Sequence, residues 1–350
     1  MSCITLSPSP VLAIERNSSD THILKEENAF EDLRIILHKE STAYSNKFDY
    51  LSFLPEDEPL SVNDRVSEGW RRKICEWSFE VVDHFGFDRG VVSIALNYLD
   101  RVVALKTRSS GHSTHRREFQ LIAVTSLYLA IKLHGETDSF DGPRRKLKIQ
   151  AYVTLSRGLF SVETLEAKEL EILELLQWNV NPPSSVQTVA SILRLIPEWS
   201  VYDDDTTVHT NATTALYEMA RYLTELAVCV STFSFNYKPS QVAYAAILCS
   251  IDALQHRVHI PYGIRVEFMN KVTAATNLTP QTVASVRALI MDLCPSLFPE
   301  GDVSPTGLSR ATSMTHEFTE SDEDGKISPV CVMAECRDEA SPRKRGRPSI

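Results

Sequence analysis

The chain lacks the short signatures that mark common catalytic sites. Its 350 residues hold no GxGxxG, no GxxxxGK followed by Ser or Thr, and no HExxH. The sequence therefore predicts neither a nucleotide-phosphate cradle nor a zinc-protease helix, and the protein reads as a non-enzyme. CxxC spacing is missing as well. The cysteines (Cys3, Cys75, Cys229, Cys249, Cys294, Cys331, Cys336) number seven. That argues against a disulfide framework and suits reduced thiols of a cytosolic or nuclear protein. No apolar run reaches the roughly 18–20 residues that cross a bilayer, so no membrane partner is expected. The opening "MSCITLSPSPVLAIERN" has no basic stretch ahead of an apolar one, which predicts no secretory signal. An excess of positive charge is also absent. Lys and Arg total 36 against 46 Asp and Glu, a net charge of -10, which disfavours broad coating of nucleic acid. "HSTH" (His112 to His115) and "CVMAEC" (Cys331 to Cys336) stand without further ligands, so neither metal nor cofactor is predicted.

A hydrophobic content of 43% with 23% charged residues fits a soluble globular protein. Three zones follow. Residues 1–30 are rich in Ser, Pro and Asn without a period and are expected to lack order, as is the polar stretch 299–350. Between them, apolar residues recur every three or four positions, and alternating strand patterns are scarce, so the expected class is all-α. In "VSEGWRRKICEWSFEVVDHF", Trp70, Ile74, Trp77 and Val81 form one helical stripe. "FQLIAVTSLYLAIKL" (Phe119 to Leu133) is apolar nearly all round, as a central buried helix would be. A further amphipathic helix over 161–176 turns Leu165, Ile172, Leu173 and Leu176 inward, and Pro182 with Pro183 break the pattern beyond it.

The pattern then starts again. "ALYEMARYLTELAV" echoes "SIALNYLDRVVAL", with Tyr222-Leu223 against Tyr98-Leu99, and "SQVAYAAILCSIDAL" echoes the central helix. Two tandem helical domains are predicted, 31–182 and 183–298, between unstructured tails.

Several stretches in fixed order resemble the cyclin family, with two consecutive cyclin folds. "WRRKICEWSFEVVDHFGFD" is similar to the start of the cyclin box. "ALNYLDR" resembles its second helix, "FQLIAVTSLYLAIKLHGE" its third and "KELEILELLQWNVNPPS" its fifth, while "YKPSQVAYAAIL" resembles the entry to the third helix of the second fold. Upstream, "LRIILHKESTAYSNKFDYL" resembles the short helix that precedes the box in D-type cyclins. The resemblance implies a regulatory subunit of a cyclin-dependent Ser/Thr protein kinase, acting in G1 or at the G1/S transition. The alternative in the same fold is a transcriptional cyclin or a cyclin-fold transcription factor.

It also implies site residues. Asp100 of "NYLDR" would pair inside the fold with Arg71. By spacing alone, Ser93, Asn97, Asp100 and Arg101 form a narrow polar stripe, and Asp100 could equally face water. Lys132, which ends "LYLAIK", and Glu169, which opens "ELEILELLQW", would grip the kinase; Glu163, Glu166 and Glu174 on the same helix read as solvated positions. A shallow groove for Arg-x-Leu motifs of substrates or inhibitors would involve Trp70, Trp77, Glu80, Phe119 and Gln120. Trp70 stands where Met is usual in the family and Lys73 where Ile is common. The loops "KTRSSGHSTHRR" and "GETDSFDGPRRKLK" are longer than the family's usual connections.

The last zone carries regulatory chemistry. Ser304, Ser328 and Ser341 each precede proline and are candidate phosphorylation sites, and Thr319 or Ser321 lies in an acidic context. In "PRKRGRPSI", Arg343, Lys344, Arg345 and Arg347 concentrate positive charge. That cluster predicts an import receptor as partner and a nuclear as well as cytoplasmic location. Its "RGRP" core also resembles an AT-hook, whose single copy implies weak DNA binding at most.

Overall fold

The computed structural model describes residues 18–45, 48–53, 66–135, 147–199 and 206–298, with side chains from residue 27 onward and without those of 206–210. The regular elements in these residues are helices, with no β-strand among them. Their buried apolar side chains form two clusters, one built from residues 50–176 and the other from residues 189–294 together with Ala29 and Leu33.

The first cluster surrounds α4 (Arg116–His134), which packs against α3 (Gly90–Ser110), α5 (Ile149–Leu155) and α6 (Val162–Leu175). Ile122, Val124, Leu127, Leu129 and Ala130 of α4 are buried along with the small Thr125 and Ser126. Small residues let neighbouring helices approach closely, which is why this helix sits at the centre. On α2 (Glu68–Phe85), Ile74, Trp77 and Val81 are buried. Ser67 caps the helix by accepting a hydrogen bond from the Trp70 N–H at 3.4 Å. Gly86, at φ 69°, closes it in the left-handed conformation. Ser161 caps α6 by accepting from Thr164 N, and Leu165, Ile172 and Leu176 turn inward.

Pro182 and Pro183 end this unit, and Ser184 caps α7 (Ser185–Leu193). The second cluster surrounds α10 (Pro239–Ala253), packed against α7, α8 (Thr206–Val228) and α12 (Ala284–Leu293). Proline at the first position of α10 suits a helix start, because its missing N–H would have no partner there. The short α9 (Ser231–Asn236) joins α8 to α10, and α11 (Tyr262–Thr276) precedes α12.

Three expectations need correcting. A long α1 (Ser18–Ser41) begins inside the segment expected to lack order. It also belongs to the second unit: α1 packs on α7, α10 and α11, and its Ala29 and Leu33 join the second cluster. Glu40 fastens it there, accepting from Ser240 N and Ser240 Oγ, both at 2.7 Å, at the N-terminus of α10. That is where a carboxylate complements the helix dipole. Composition alone showed no apolar partner for this segment; the partner lies about 200 residues away. The third correction is smaller. "KTRSS" is the last turn of α3, so only part of the expected loop before α4 is a loop.

Candidate functional site

Asp100 and Arg101 leave α3 in different directions. Asp100 accepts from Arg71 Nε at 2.9 Å and Nη2 at 2.8 Å, and from the Tyr50 hydroxyl at 2.9 Å. The Arg71 side chain is 0% exposed and that of Asp100 9%. Asp100 is thus a buried partner and no part of a wet stripe. Burial works against the Arg71 charge, but Asp100 outweighs it and holds the guanidinium above its ordinary pKa. Burial, then the Asp100 charge, push the Tyr50 hydroxyl well up, so it stays protonated and donates. Arg71 also reaches the other unit, donating to the Val228 carbonyl and the Ser234 hydroxyl, each at 2.9 Å. Arg101 donates to the Asn179 carbonyl at 2.8 Å and lies over the Tyr44 ring at 4.8 Å. Together with a bond from Asn181 N to the Tyr44 hydroxyl, it holds the segment between the units.

Lys132 and Glu169 meet. Their Nζ and Oε1 atoms are 2.7 Å apart, with side chains 48% and 14% exposed. The hydrogen bond to Glu169 raises the Lys132 pKa, against a smaller opposing effect of burial. Lys132 occupies the last turn of α4, where the helix dipole favours a cation, and its ammonium lies 5.4 Å from the Tyr128 ring centre. Glu163, Glu166 and Glu174 are exposed, which sets the half-buried Glu169 apart from its neighbours on α6. Leu133 and Leu170, each next in sequence to one member of the pair, are 46% and 53% exposed. The result is an ion pair at the surface with uncovered leucines beside it.

The five residues of the expected docking groove do not form one surface. Trp77, Phe119 and Gln120 are buried, and Trp77 and Phe119 belong to the first core. Trp70 is half-buried with the Arg116 guanidinium 3.9 Å above its ring, and Glu80 is exposed. Burial and the nearby Glu76 raise the Glu80 pKa. Trp77, Phe119 and Gln120 thus pack inward, while Trp70 and Glu80 lie nearer the surface. An indole is large enough to hold an arginine stacked on it, a cation–π contact. Ser304, Ser328, Ser341, Thr319, Ser321, Arg343, Lys344, Arg345 and Arg347 lie outside the described residues. So do the tails 1–17 and 299–350 and most of "GETDSFDGPRRKLK".

One cluster escaped the sequence reading. Lys106 of α3, Glu118 of α4, and Lys168 and Glu171 of α6 form a ring of four charges. Its contacts are Lys106 to Glu118 at 2.7 Å and to Glu171 at 2.6 Å, and Lys168 to Glu118 at 2.7 Å and to Glu171 at 2.5 Å. The signal was present: Lys168 lies three residues after Leu165 and four before Ile172, on the inward stripe of α6. Among the described residues no His, Cys, Asp and Glu group could hold a metal ion, and no helix is long and apolar enough to cross a membrane.

These features accord with known proteins. Residues 37–181 match the family model "Cyclin, N-terminal domain". The chain is 26% identical over 230 residues to Cyclin-D3-2 of Arabidopsis thaliana, covering 65% of this chain and 54% of that one. It is 25% identical over 206 residues to G2/mitotic-specific cyclin S13-6 of Glycine max, covering 59% and 37%. With G1/S-specific cyclin-D2 of Rattus norvegicus it shares 27% over 186 residues, covering 53% and 56%. The chain thus spans between about a third and somewhat over half of the length of these relatives. The crystal structure of a viral cyclin from herpesvirus saimiri has the same fold, with a TM-score of 0.51 at 13% identity over 77% of this chain and 98% of that one. Over residues 37–181 the chain carries the N-terminal domain of the cyclin family.

Proposed function

We propose that the protein is a regulatory subunit that binds and activates a cyclin-dependent Ser/Thr protein kinase, and that it acts in G1 or at G1/S. The observation that carries this reading is the Lys132–Glu169 pair, held at the surface beside the exposed Leu133 and Leu170. An ammonium donates to free backbone carbonyls and a carboxylate accepts from free amides, and such charge-assisted bonds are about twice as strong as neutral ones. A half-exposed pair contributes about 0–1 kcal/mol while its members hold each other, so exchanging that bond for contacts with a partner costs little. The leucines supply apolar area whose burial favours association.

Activation on this reading is a shift of population. A kinase whose regulatory helix swings between two positions is driven to the competent one by a rigid face that fits only that form. The competent form completes the Lys–Glu pair that phosphoryl transfer requires. Taking the kinase from about 1% to about 99% competent requires a preference of about 5.5 kcal/mol between the two forms.

The test is purification from cells followed by a kinase assay on the eluate. The native chain should bring down an active kinase. The double variant Lys132→Ala with Glu169→Ala should keep its helical signal and unfolding midpoint yet lose the kinase. Full retention of kinase by the double variant overturns the assignment. The G1 or G1/S timing fails if abundance in synchronised cells peaks in mitosis. We further assign Arg343, Lys344, Arg345 and Arg347 to import into the nucleus. Phosphorylation of Ser341 would oppose import by placing about two negative charges against that cluster. A tail-deleted chain that still accumulates in nuclei refutes this.

A further inference from the structure

Cys75 and Cys229 are 154 residues apart in sequence, yet their sulfurs lie 3.2 Å apart where the two units meet. Cys75 is buried on α2, one turn beyond Arg71. Cys229 follows the last residue of α8 and is half-buried, so one member of the pair is open to solvent. The surrounding contacts fix this approach: Arg71 donates to the carbonyl of Val228, the residue just before Cys229, and Ser231 N donates to Glu68 Oε1 at 2.9 Å. Backbone on both sides of the thiol pair is therefore held from across the junction.

We propose that Cys75 and Cys229 are a reversible thiol–disulfide latch between the two units, closed by hydroperoxides. Its reduced form is the one described here. A disulfide needs about 2.05 Å between sulfurs, so closure requires the atoms to approach by only about 1.2 Å.

The chemistry assigns different roles to the two thiols. The hydrogen bond from Cys75 lowers the Cys229 pKa despite the opposing effect of burial, and the Arg71 and Arg72 charges act in the same direction. That bond and burial hold the Cys75 thiol well up. Cys229 is thus the thiolate that meets the oxidant and Cys75 the resolving thiol. In the first step Cys229 sulfur attacks a peroxide oxygen. An S–O bond forms, the O–O bond breaks, and the leaving hydroxide takes up a proton as water. In the second step Cys75 sulfur attacks the Cys229 sulfenic acid. The S–S bond forms, and hydroxide leaves with the Cys75 proton as a second water. Two thiols are oxidised and one hydrogen peroxide is reduced. Burial pushes Cys249 up to about 12 and raises Cys294 too, which keeps both as unreactive thiols.

The full chain would be treated with hydrogen peroxide, alkylated with N-ethylmaleimide, and digested without reductant for mass spectrometry. A peptide joining Cys75 to Cys229, lost on adding dithiothreitol, is expected. Oxidation should also raise the thermal midpoint by several degrees, because the bond closes a long loop in the unfolded chain. That rise should vanish in Cys229→Ser, whose half-buried site tolerates the hydroxyl. In Cys75→Ser, Cys229 should accumulate as a sulfenic acid that dimedone traps. The proposal is overturned if Cys75 and Cys229 remain alkylated after peroxide. An equal midpoint rise in Cys229→Ser would overturn it as well.

Discussion

The two units repeat a helical plan but differ in what they bury. The first encloses charge: Arg71, Asp100 and Lys168 are all buried. The second is apolar around α10 with buried hydroxyls such as Thr224, Ser240 and Ser250; its buried carboxylates are Glu225 of α8, paired with Arg89 and Arg221, and Glu40, which comes from α1. The echo between α3 and α8 makes the difference concrete. Leu99 and Leu223 are both buried, but Asp100 is matched by Thr224, whose hydroxyl turns back to the Arg221 carbonyl at 2.8 Å. Tyr98 is buried, whereas Tyr222 is 49% exposed. A neutral hydroxyl satisfies itself within its own helix. A buried carboxylate needs donors from elsewhere, here the Arg71 cation, so Asp100 fixes where α2 must lie, and Arg71 in turn fixes where the second unit docks. At Arg71 the second unit supplies carbonyl and hydroxyl acceptors, and elsewhere at the junction it supplies charge, with Glu225 on Arg89 at 2.8 Å and Arg221 on Asp88 at 3.5 Å.

The sharpest way to break this contrast is Arg71→Ala. It leaves Asp100 buried without its cation and removes both bonds to the second unit, so denaturant unfolding should show a loss of about 3–5 kcal/mol. An unchanged midpoint would mean that the junction is not organised by this charge. Next in size is Glu40→Ala, which removes two charge-assisted acceptors and frees α1 from the second unit. A loss of about 1.5–3 kcal/mol is expected, with faster proteolysis within α1. Equal protection of α1 in variant and native chains would contradict its assignment to the second unit.

The charge ring of the first unit gives a pH test. Burial raises the pKa of Glu118 and Glu171, but the hydrogen bonds from Lys106 and Lys168 outweigh it and hold both below the ordinary carboxylate value of about 4.3. A depressed folded pKa contributes stability above the unfolded value and loses it as pH falls through the folded one. Urea midpoints should therefore drop between neutral pH and about pH 3, and drop less in Glu118→Gln with Glu171→Gln. A parallel drop in both chains would show that the ring contributes nothing. The smallest effects come from two helix ends. Gly86 and Asn277 hold φ 69° and 58°, closing α2 and α11. Gly86→Ala has open space for its methyl group, so its expected cost of about 1–2 kcal/mol is conformational alone. Asn277→Gly should shift stability by less than about 0.5 kcal/mol, because asparagine tolerates this conformation and the site is exposed. A larger change at Asn277 than at Gly86 would reverse the reading.

Much of this was legible in the chain because helix packing writes itself locally. Apolar spacing marked α2, α4 and α6, and the prolines after Asn181 marked the break between units. The Arg71–Asp100 ion pair was legible through family resemblance; spacing alone left Asp100 open to water. Lys168 drew no reading from the sequence, although its place on the inward stripe of α6 pointed to burial. Apolar spacing pointed to a buried Phe119, but the burial of the polar Gln120 depends on neighbours from other helices and no spacing rule reveals it.

By itself the sequence determined the helical class and the two-fold repetition, since period, proline and residue type act over a few positions. Only the tertiary structure decided which unit holds α1, that Lys132 meets Glu169 at the surface, and that two distant thiols come within reach of each other. Those outcomes depend on contacts between residues 37 to 200 positions apart, which carry no local pattern and exist only once both cores have formed.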